Sequence, residues 1–473
     1  MFAEIKGLNE ECGVFGVWGH PDAAQITYYG LHSLQHRGQE GTGIVVTDRE
    51  NLSIHKGLGL VTEVFSKGEI ETLHGNGAIG HVRYSTAGGG GLANTQPLLF
   101  NSQTGSLALA HNGNLVNAES LKLELESQGS IFQTTSDTEV LAHLIKRGSH
   151  ELSLVERVKS ALTQVKGAFA FMVMTENQLM VALDPNGLRP LSIGRLGDAY
   201  VIASETCAFD VIGATFEREV VPGELIIIND EGLRSERFSE PIHRSICSME
   251  YIYFARPDSN VDEINVHTAR KSLGKQLALE APVEADVVTG VPDSSISAAI
   301  GYAEQSGIPY ELGLIKNRYV GRTFIQPSQE LREQGVKMKL SAVRGVVEGK
   351  RVVMIDDSIV RGTTSRRIVS LLREAGATEV HVRISAPPIT SPCFYGIDTS
   401  STSELIAASK NVEEIRQEIG ADTLSFISVE GLLTGVGRNT DHENNGQCLA
   451  CFTGKYPTKL YDLGTSEQKP VKC

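Results

Sequence analysis

The sequence predicts two unlike domains: an α+β first half built on mostly antiparallel strands, and an α/β second half built on a central parallel sheet. Three observations carry this. The chain has 473 residues, too many for one ordinary core. Its first half alternates short apolar runs with Gly and Asn turns, as hairpin-connected strands do. After about residue 240 the pattern becomes strand, loop, helix, strand, the way parallel sheets are connected.

Taken in order, residues 43–46, 78–82, 107–110 and 168–174 read as strands of the first half. Residues 138–146 have helical spacing at Val140, Leu141, Leu144 and Ile145. In the second half 286–289 is a buried-strand run, 292–295 a loop and 296–304 a helix. A second strand follows at 351–355, then an acidic loop, a helix over 366–375 that stops at Gly376, and a third strand at 379–384. The expected division is a short polar leader over 1–11, a first domain over 12–240, a second over 241–436, and a polar, Cys-bearing tail over 437–473.

Composition narrows the function. Hydrophobic residues are 41% and charged residues 21%, ordinary for a globular chain. The net charge of −14 argues against a dedicated nucleic-acid binder, while leaving anionic small molecules to local positive clusters. No apolar run approaches the ~18 residues of a membrane span. The opening MFAEIKGLNEE has no apolar core of a secretory signal. Seven Cys are spread along the chain, which does not suit a disulfide framework. The expectation is a cytoplasmic protein without nucleic-acid or membrane partners, its thiols available for chemistry or metal.

The stretch VVMIDDSIVRGTT, 352–364, carries the most chemistry in the second half. An apolar strand ends in two carboxylates, Asp356 and Asp357, and a loop through Arg361, Gly362, Thr363 and Thr364 opens a helix. Ligands of parallel sheets sit at the carboxyl ends of strands. A helix N-terminus offers free N–H groups and a positive dipole end to a phosphate. The carboxylates accept from sugar hydroxyls or face Mg²⁺. Val291-Pro292-Asp293-Ser294-Ser295 follows a neighbouring strand and is the natural partner loop. From Lys316 to Arg344 the chain carries Lys316, Arg318, Arg322, Arg332, Lys337, Lys339 and Arg344 against only Glu330 and Glu333. That basic stretch reads as a lid over an anionic substrate.

In the first half Cys12 stands next to the leader. Releasing ammonia from glutamine needs a thiol, a base, oxyanion donors and groups for the α-carboxylate and α-amine. If loss of the leader exposes Cys12, its own α-amine, with a reference pKa of about 7.7–8.0, serves as base. Arg83 suits the carboxylate and Asp137 the ammonium. The Asn112 side chain and the Gly113 N–H suit the oxyanion.

These motifs resemble two known families. CGVFG from Cys12, HRGQEG from His36, RYST from Arg83 and HNGN from His111 resemble class II glutamine amidotransferases of the N-terminal-nucleophile (Ntn) hydrolase fold. The 352–364 stretch resembles the phosphoribosyl-pyrophosphate (PRPP) signature of type I phosphoribosyltransferases. That resemblance implies that Asp356 and Asp357 contact the ribose hydroxyls, and that Arg361, Gly362, Thr363 and Thr364 take the 5-phosphate. It also places Ser294 by the pyrophosphate and Mg²⁺, the metal being held by Ser294, Asp356 and Asp357.

In this order the two halves are similar to the glutamine PRPP amidotransferase family, in its Gram-positive iron–sulfur form. The likeness runs from Met1 to about Pro457. It implies ammonia transfer from glutamine to PRPP, giving 5-phosphoribosylamine at the start of purine synthesis. It further implies a propeptide, inhibition by purine nucleotides and a homotetramer.

Cys448 and Cys451 form a C-x-x-C. With Cys247 and Cys393, both in the second half, they make up a four-thiolate set for zinc or a [4Fe–4S] cluster, and spacing does not choose between them. The family resemblance favours [4Fe–4S] on all four. Two rivals share parts of the pattern. Another class II amidotransferase, acting on sugar phosphates, does not require the 356–364 loop. A PRPP-sensing regulatory protein does not require Cys12 with Arg83, Asn112, Gly113 and Asp137.

Overall fold

The computed structural model describes residues 12–84, 91–103, 105–149, 151–240, 242–317, 340–397, 399, 401–440 and 445–462. The leader, Ser85 and Thr86, and Arg318, Arg322, Arg332, Lys337 and Lys339 of the expected lid lie outside them.

The first half carries β1 (Gly13–Trp18), β2 (Gly41–Thr47), β3 (Leu52–Leu58), β4 (Gly77–Arg83), β5 (Leu98–Phe100), β6 (Leu107–Leu115) and β7 (Gly167–Met174). It continues with β8 (Leu179–Leu183), β9 (Ser192–Leu196), β10 (Ala199–Ala203), β11 (Thr215–Glu219), β12 (Glu224–Asn229) and β13 (Gly232–Arg237). They form two sheets, ordered β11-β9-β10-β1-β4-β2-β3 and β13-β12-β8-β7-β6-β5, antiparallel at every pairing among the described residues.

The sheets pack face to face through Val14, Val45 and Ile79 on one side and Ala108, Ala170, Met172 and Val181 on the other. The helices Ala23–Ser33 and Cys207–Ile212 cover the outer face of the first sheet, their Leu31 and Phe209 packed with Phe15, Val17 and Ile44 of the strands. Thr138–Arg147 and Leu154–Gln164 cover the second, their Leu141 and Val158 packed with Leu109, Phe169 and Phe171 of the strands. The result is four layers, helix-sheet-sheet-helix. Strands buried on both faces lose their polar alternation, which is why β7 reads GAFAFMVM.

The second half carries β14 (Ile246–Cys247), β15 (Asn260–Val261), β16 (Ile264–Asn265), β17 (Val287–Gly290), β18 (Leu314–Lys316) and β19 (Leu340–Ala342). It ends with β20 (Arg351–Asp356), β21 (Glu379–Ile384), β22 (Thr423–Phe426) and β23 (Gln447–Cys448). Its core is the parallel sheet β17-β20-β21-β22. The helix after β20 is Thr363–Glu374 and begins three residues before the expected start at 366. Thr363 and Thr364 face outward and carry no apolar signal, so periodicity does not see the first turn.

The segment expected as a tail is folded over 445–462. β23 pairs in parallel with β14, and Leu449, Ala450 and Phe452 are buried. Asp462 accepts from the amides of Glu119 and Ser120 in the first half. Among the described residues no helix is long and apolar enough to cross a membrane.

Candidate functional site

Cys12 lies immediately before β1. The register of β1 with β4 sets Gly13 against Val82, so Cys12 comes opposite Arg83. Its thiol donates weakly to the Tyr84 carbonyl at 3.5 Å, and its carbonyl accepts from Arg37 Nε at 3.2 Å. Arg83 is buried at the end of β4.

On the facing sheet β6 presents Asn112 and Gly113. His81 Nε2 of β4 lies 3.1 Å from the His111 carbonyl of β6. This contact bridges the two sheets and brings the Cys12–Arg83 end alongside Asn112. Burial lowers the His81 pKa to about 3, so the bridge is neutral. Asn112 is 1% exposed, and neither its side-chain oxygen nor its nitrogen has a hydrogen-bond partner among the described residues. A buried amide left unpaired costs about 1–3 kcal/mol, a cost expected where a ligand is to be bound. Gly113 has φ +135°, and a Cβ there would fall 2.2 Å from the Ala168 carbonyl oxygen.

Asp137 precedes the helix Thr138–Arg147. Its carboxylate accepts from the Leu115 amide at 2.9 Å and lies 3.6 Å from His111 Nδ1. Burial pushes the carboxyl up, but His111 and the Leu115 amide outweigh it and hold it below the usual range.

The second cluster stands at the carboxyl ends of the adjacent parallel strands β17 and β20. Ser295 Oγ donates to Asp356 Oδ1 at 3.2 Å, and Ser294 Oγ to Asp357 Oδ2 at 2.5 Å. Asp357 Oδ1 also accepts from Ser358 Oγ at 2.7 Å. Both carboxylates are buried. Burial raises both above the ordinary carboxylate range, and Asp357 adds its charge against Asp356. Gly362 follows with φ +75°, a turn that places Thr363 and Thr364 in the first turn of the next helix. The Arg361 guanidinium is directed away, to Glu404 at 2.5 Å.

The third cluster joins the halves. Cys247, Cys393, Cys448 and Cys451 line one cavity with Leu188, Arg189 and Tyr395. The β14–β23 register sets Cys247 directly beside Cys448. Burial, together with the Cys448 and Cys393 thiols, pushes Cys451 well above the usual thiol range. Sulfurs crowded in an apolar pocket resist ionising, and a cationic group among them reverses this. As they stand, no three His, Cys, Asp or Glu side chains among the described residues are grouped to hold a metal ion.

Sequence reasoning gave Ser295 no role beyond membership of the partner loop, and gave Arg37, Glu250 and Arg189 none. Arg37 lies inside the quoted HRGQEG motif. Glu250, 1 of its partners, is 213 residues further on, where no local pattern points.

A glutamine amidotransferase domain model matches residues 82–211, and a phosphoribosyl transferase domain model matches 261–390. The chain is 77% identical over 462 residues to an amidophosphoribosyltransferase of Bacillus subtilis (strain 168), covering 98% of this chain and 97% of that protein. It is 55% identical over 459 residues to the Staphylococcus aureus (strain MRSA252) protein of the same name, covering 97% and 93%. A solved structure of the glutamine PRPP amidotransferase from B. subtilis, complexed with ADP and GMP, superposes with TM-score 0.91 at 76% identity, covering 95% of this chain and 98% of that one. With both domains in this order and likeness over nearly the whole length, the chain belongs to the amidophosphoribosyltransferase family.

Proposed function

We propose that the chain moves the side-chain nitrogen of glutamine onto PRPP, giving 5-phospho-β-D-ribosylamine, glutamate and pyrophosphate, the first committed step of purine synthesis. The observation that carries this is a thiol site and a phosphate-loop site on one chain that matches full-length relatives of that activity.

Cys12 Sγ attacks the glutamine side-chain carbonyl. Loss of the leader makes the Cys12 α-amine the base that takes the thiol proton and returns it to departing ammonia. The unpaired Asn112 amide and the Gly113 N–H stabilise the oxyanion. Arg83 holds the substrate α-carboxylate and Asp137 its ammonium. Water then hydrolyses the thioester to glutamate. In the second half Asp356 and Asp357 accept from the ribose hydroxyls. The helix N-terminus at Gly362, Thr363 and Thr364 takes the 5-phosphate. Arg361 contributes through its main chain, since its side chain pairs with Glu404. Ammonia attacks the anomeric carbon as pyrophosphate leaves.

Ser294, Asp356 and Asp357 would hold Mg²⁺, which neutralises the leaving pyrophosphate when bound. Cys247, Cys393, Cys448 and Cys451 would hold a [4Fe–4S] cluster: all four residues line one cavity, and four thiolates suit that group, which the family favours over zinc. Purine nucleotides, present in the B. subtilis structure as ADP and GMP, would bind this chain as inhibitors, and the homotetramer that the family resemblance implies belongs to the same reading.

The test uses anaerobically purified protein with glutamine, PRPP and Mg²⁺, each omitted in turn. Equal release of glutamate and pyrophosphate, needing both substrates, is expected. Glutamate release indifferent to PRPP, with no pyrophosphate, overturns the reading. Iron and sulfide near four each per chain are expected; one zinc per chain overturns the cluster.

A further inference from the structure

Three side chains that the chemistry above does not use meet where the two halves join. Arg37 comes from the turn Gln35–Arg37, Glu205 from the segment after β10, and Glu250 from the second half, all at most 1% exposed. Arg37 Nη1 donates to Glu205 Oε1 at 2.6 Å and to Glu250 Oε2 at 2.9 Å, and Nη2 donates to Glu250 Oε1 at 2.7 Å. Both oxygens of Glu250 thus grip one guanidinium, the strongest and most directional ion-pair geometry. A fourth Arg37 donor, Nε, goes to the Cys12 carbonyl.

Glu250 opens a π-turn, its carbonyl accepting from the Ala255 amide at 3.1 Å. Such turns are rare and concentrate at functional sites. Arg270 clamps this one, donating from Nε to the Tyr251 carbonyl at 2.6 Å and from Nη2 to the Ala255 carbonyl at 2.8 Å. Arg270 belongs to the helix Val266–Glu280, which packs on Ile296–Ser306, the helix that begins right after Ser294 and Ser295. The carboxylate of Glu250 is therefore held by the same framework that carries the acid-pair serines. A lone strut between domains needs neither the fork onto Arg37 nor the bond from Arg37 to the nucleophile's own main chain.

We propose that Glu250 is a positioning residue for Cys12, supplied by the second half: through Arg37 it sets the Cys12 main chain, so the first half does not complete its own nucleophile site. This rests on the reading of Cys12 as the glutamine nucleophile. Misplacing a reacting atom by about 1 Å costs on the order of a hundredfold in rate.

The experiment compares Glu250→Gln and Glu250→Asp with the unaltered full-length holoenzyme. Readouts are kcat and KM for glutamine, the rate with ammonia as donor, iodoacetamide alkylation of Cys12, and thermal melting. Glu250→Gln is expected to lower glutamine-dependent kcat about ten- to a hundredfold, with glutamine KM and the ammonia-dependent rate within about twofold and the alkylation rate changed severalfold. Glu250→Asp, which keeps the charge but shortens the reach, is expected to fall between. Parallel loss of both donor activities with a lowered melting point overturns the proposal in favour of a plain domain strut. Unchanged glutamine kcat and alkylation in a folded Glu250→Gln also overturn it. Cys12→Ala is the control: if it keeps glutamine-dependent activity, the nucleophile reading itself has failed, and with it the proposal.

Discussion

Asn112 and Gly113 are neighbours on β6 with different duties. Asn112 keeps a buried amide with no partner among the described residues, so its value lies in what it can bind. Asn112→Ala is expected to lower glutamine-dependent turnover by about 10²–10³ while ammonia-dependent synthesis persists; steady-state rates with each donor check this. Cys12→Ala is expected to abolish the first and spare the second. Gly113 has a steric duty. Gly113→Ala drives a methyl into the Ala168 carbonyl at a backbone angle that suits glycine, and is expected to cost about 3 kcal/mol or more in urea unfolding. At this scale the sequence shows residues whose chemistry is local to a motif. Cys12, Arg83, Asn112 and Asp137 stand out because few other side chains can do their work. The Arg37–Glu250 pair stays hidden, because burial and a partner in the other half create it.

The strand–loop–helix element around Asp356 is legible because two acids, a Gly and two Thr follow an apolar run, and each has a physical reason to be there. Its helix start is not legible, since Thr363 and Thr364 of the first turn face outward and leave no apolar signal. β6 shows the same effect: its apolar half, 107–110, reads as strand, while the polar His-Asn-Gly-Asn that continues the ladder to Leu115 does not. Function thus erases the pattern in the places where the site is built. The element itself yields a prediction. Replacing both Asp356 and Asp357 with Asn is expected to raise the KM for PRPP at least tenfold with either nitrogen donor, because the ribose contacts precede the choice of donor. PRPP saturation curves with glutamine and with ammonia decide it, and an unchanged KM refutes the assignment.

Across the whole molecule the halves are joined by buried charge. Glu205 accepts from Arg37 on its own side, and from the Arg256 amide and the Ser259 hydroxyl of the second half. Burial pushes its carboxyl up, but His36, Arg37 and the Arg256 amide outweigh this and hold it far below the usual 4.5. A depressed carboxyl stabilises the fold fully above its unfolded value and loses that contribution as pH falls toward the folded one. Melting temperatures are therefore expected to drop as pH is lowered below about 4.5. Glu205→Gln, which breaks the pair, is expected to cost about 3–5 kcal/mol at neutral pH and to flatten the acid limb; an acid limb as steep as the parent's counts against this. The two-domain order and both sheet types were legible from periodicity alone. The junction was not, because contacts between distant segments leave no period.

The pairing of β14 with β23 has a further consequence. It brings the beginning of the second half back to its end, closing about 200 residues of chain into a ring. Two residues of ladder are a weak fastening for a ring whose closure restricts the unfolded chain by about 5 kcal/mol. The four sulfurs sit at that fastening. A group held by all four, as in the cluster proposed above, would act as a buckle: opening it would release the entropy of the entire ring at once, so that chemical damage confined to one small cavity would be felt across the whole second half.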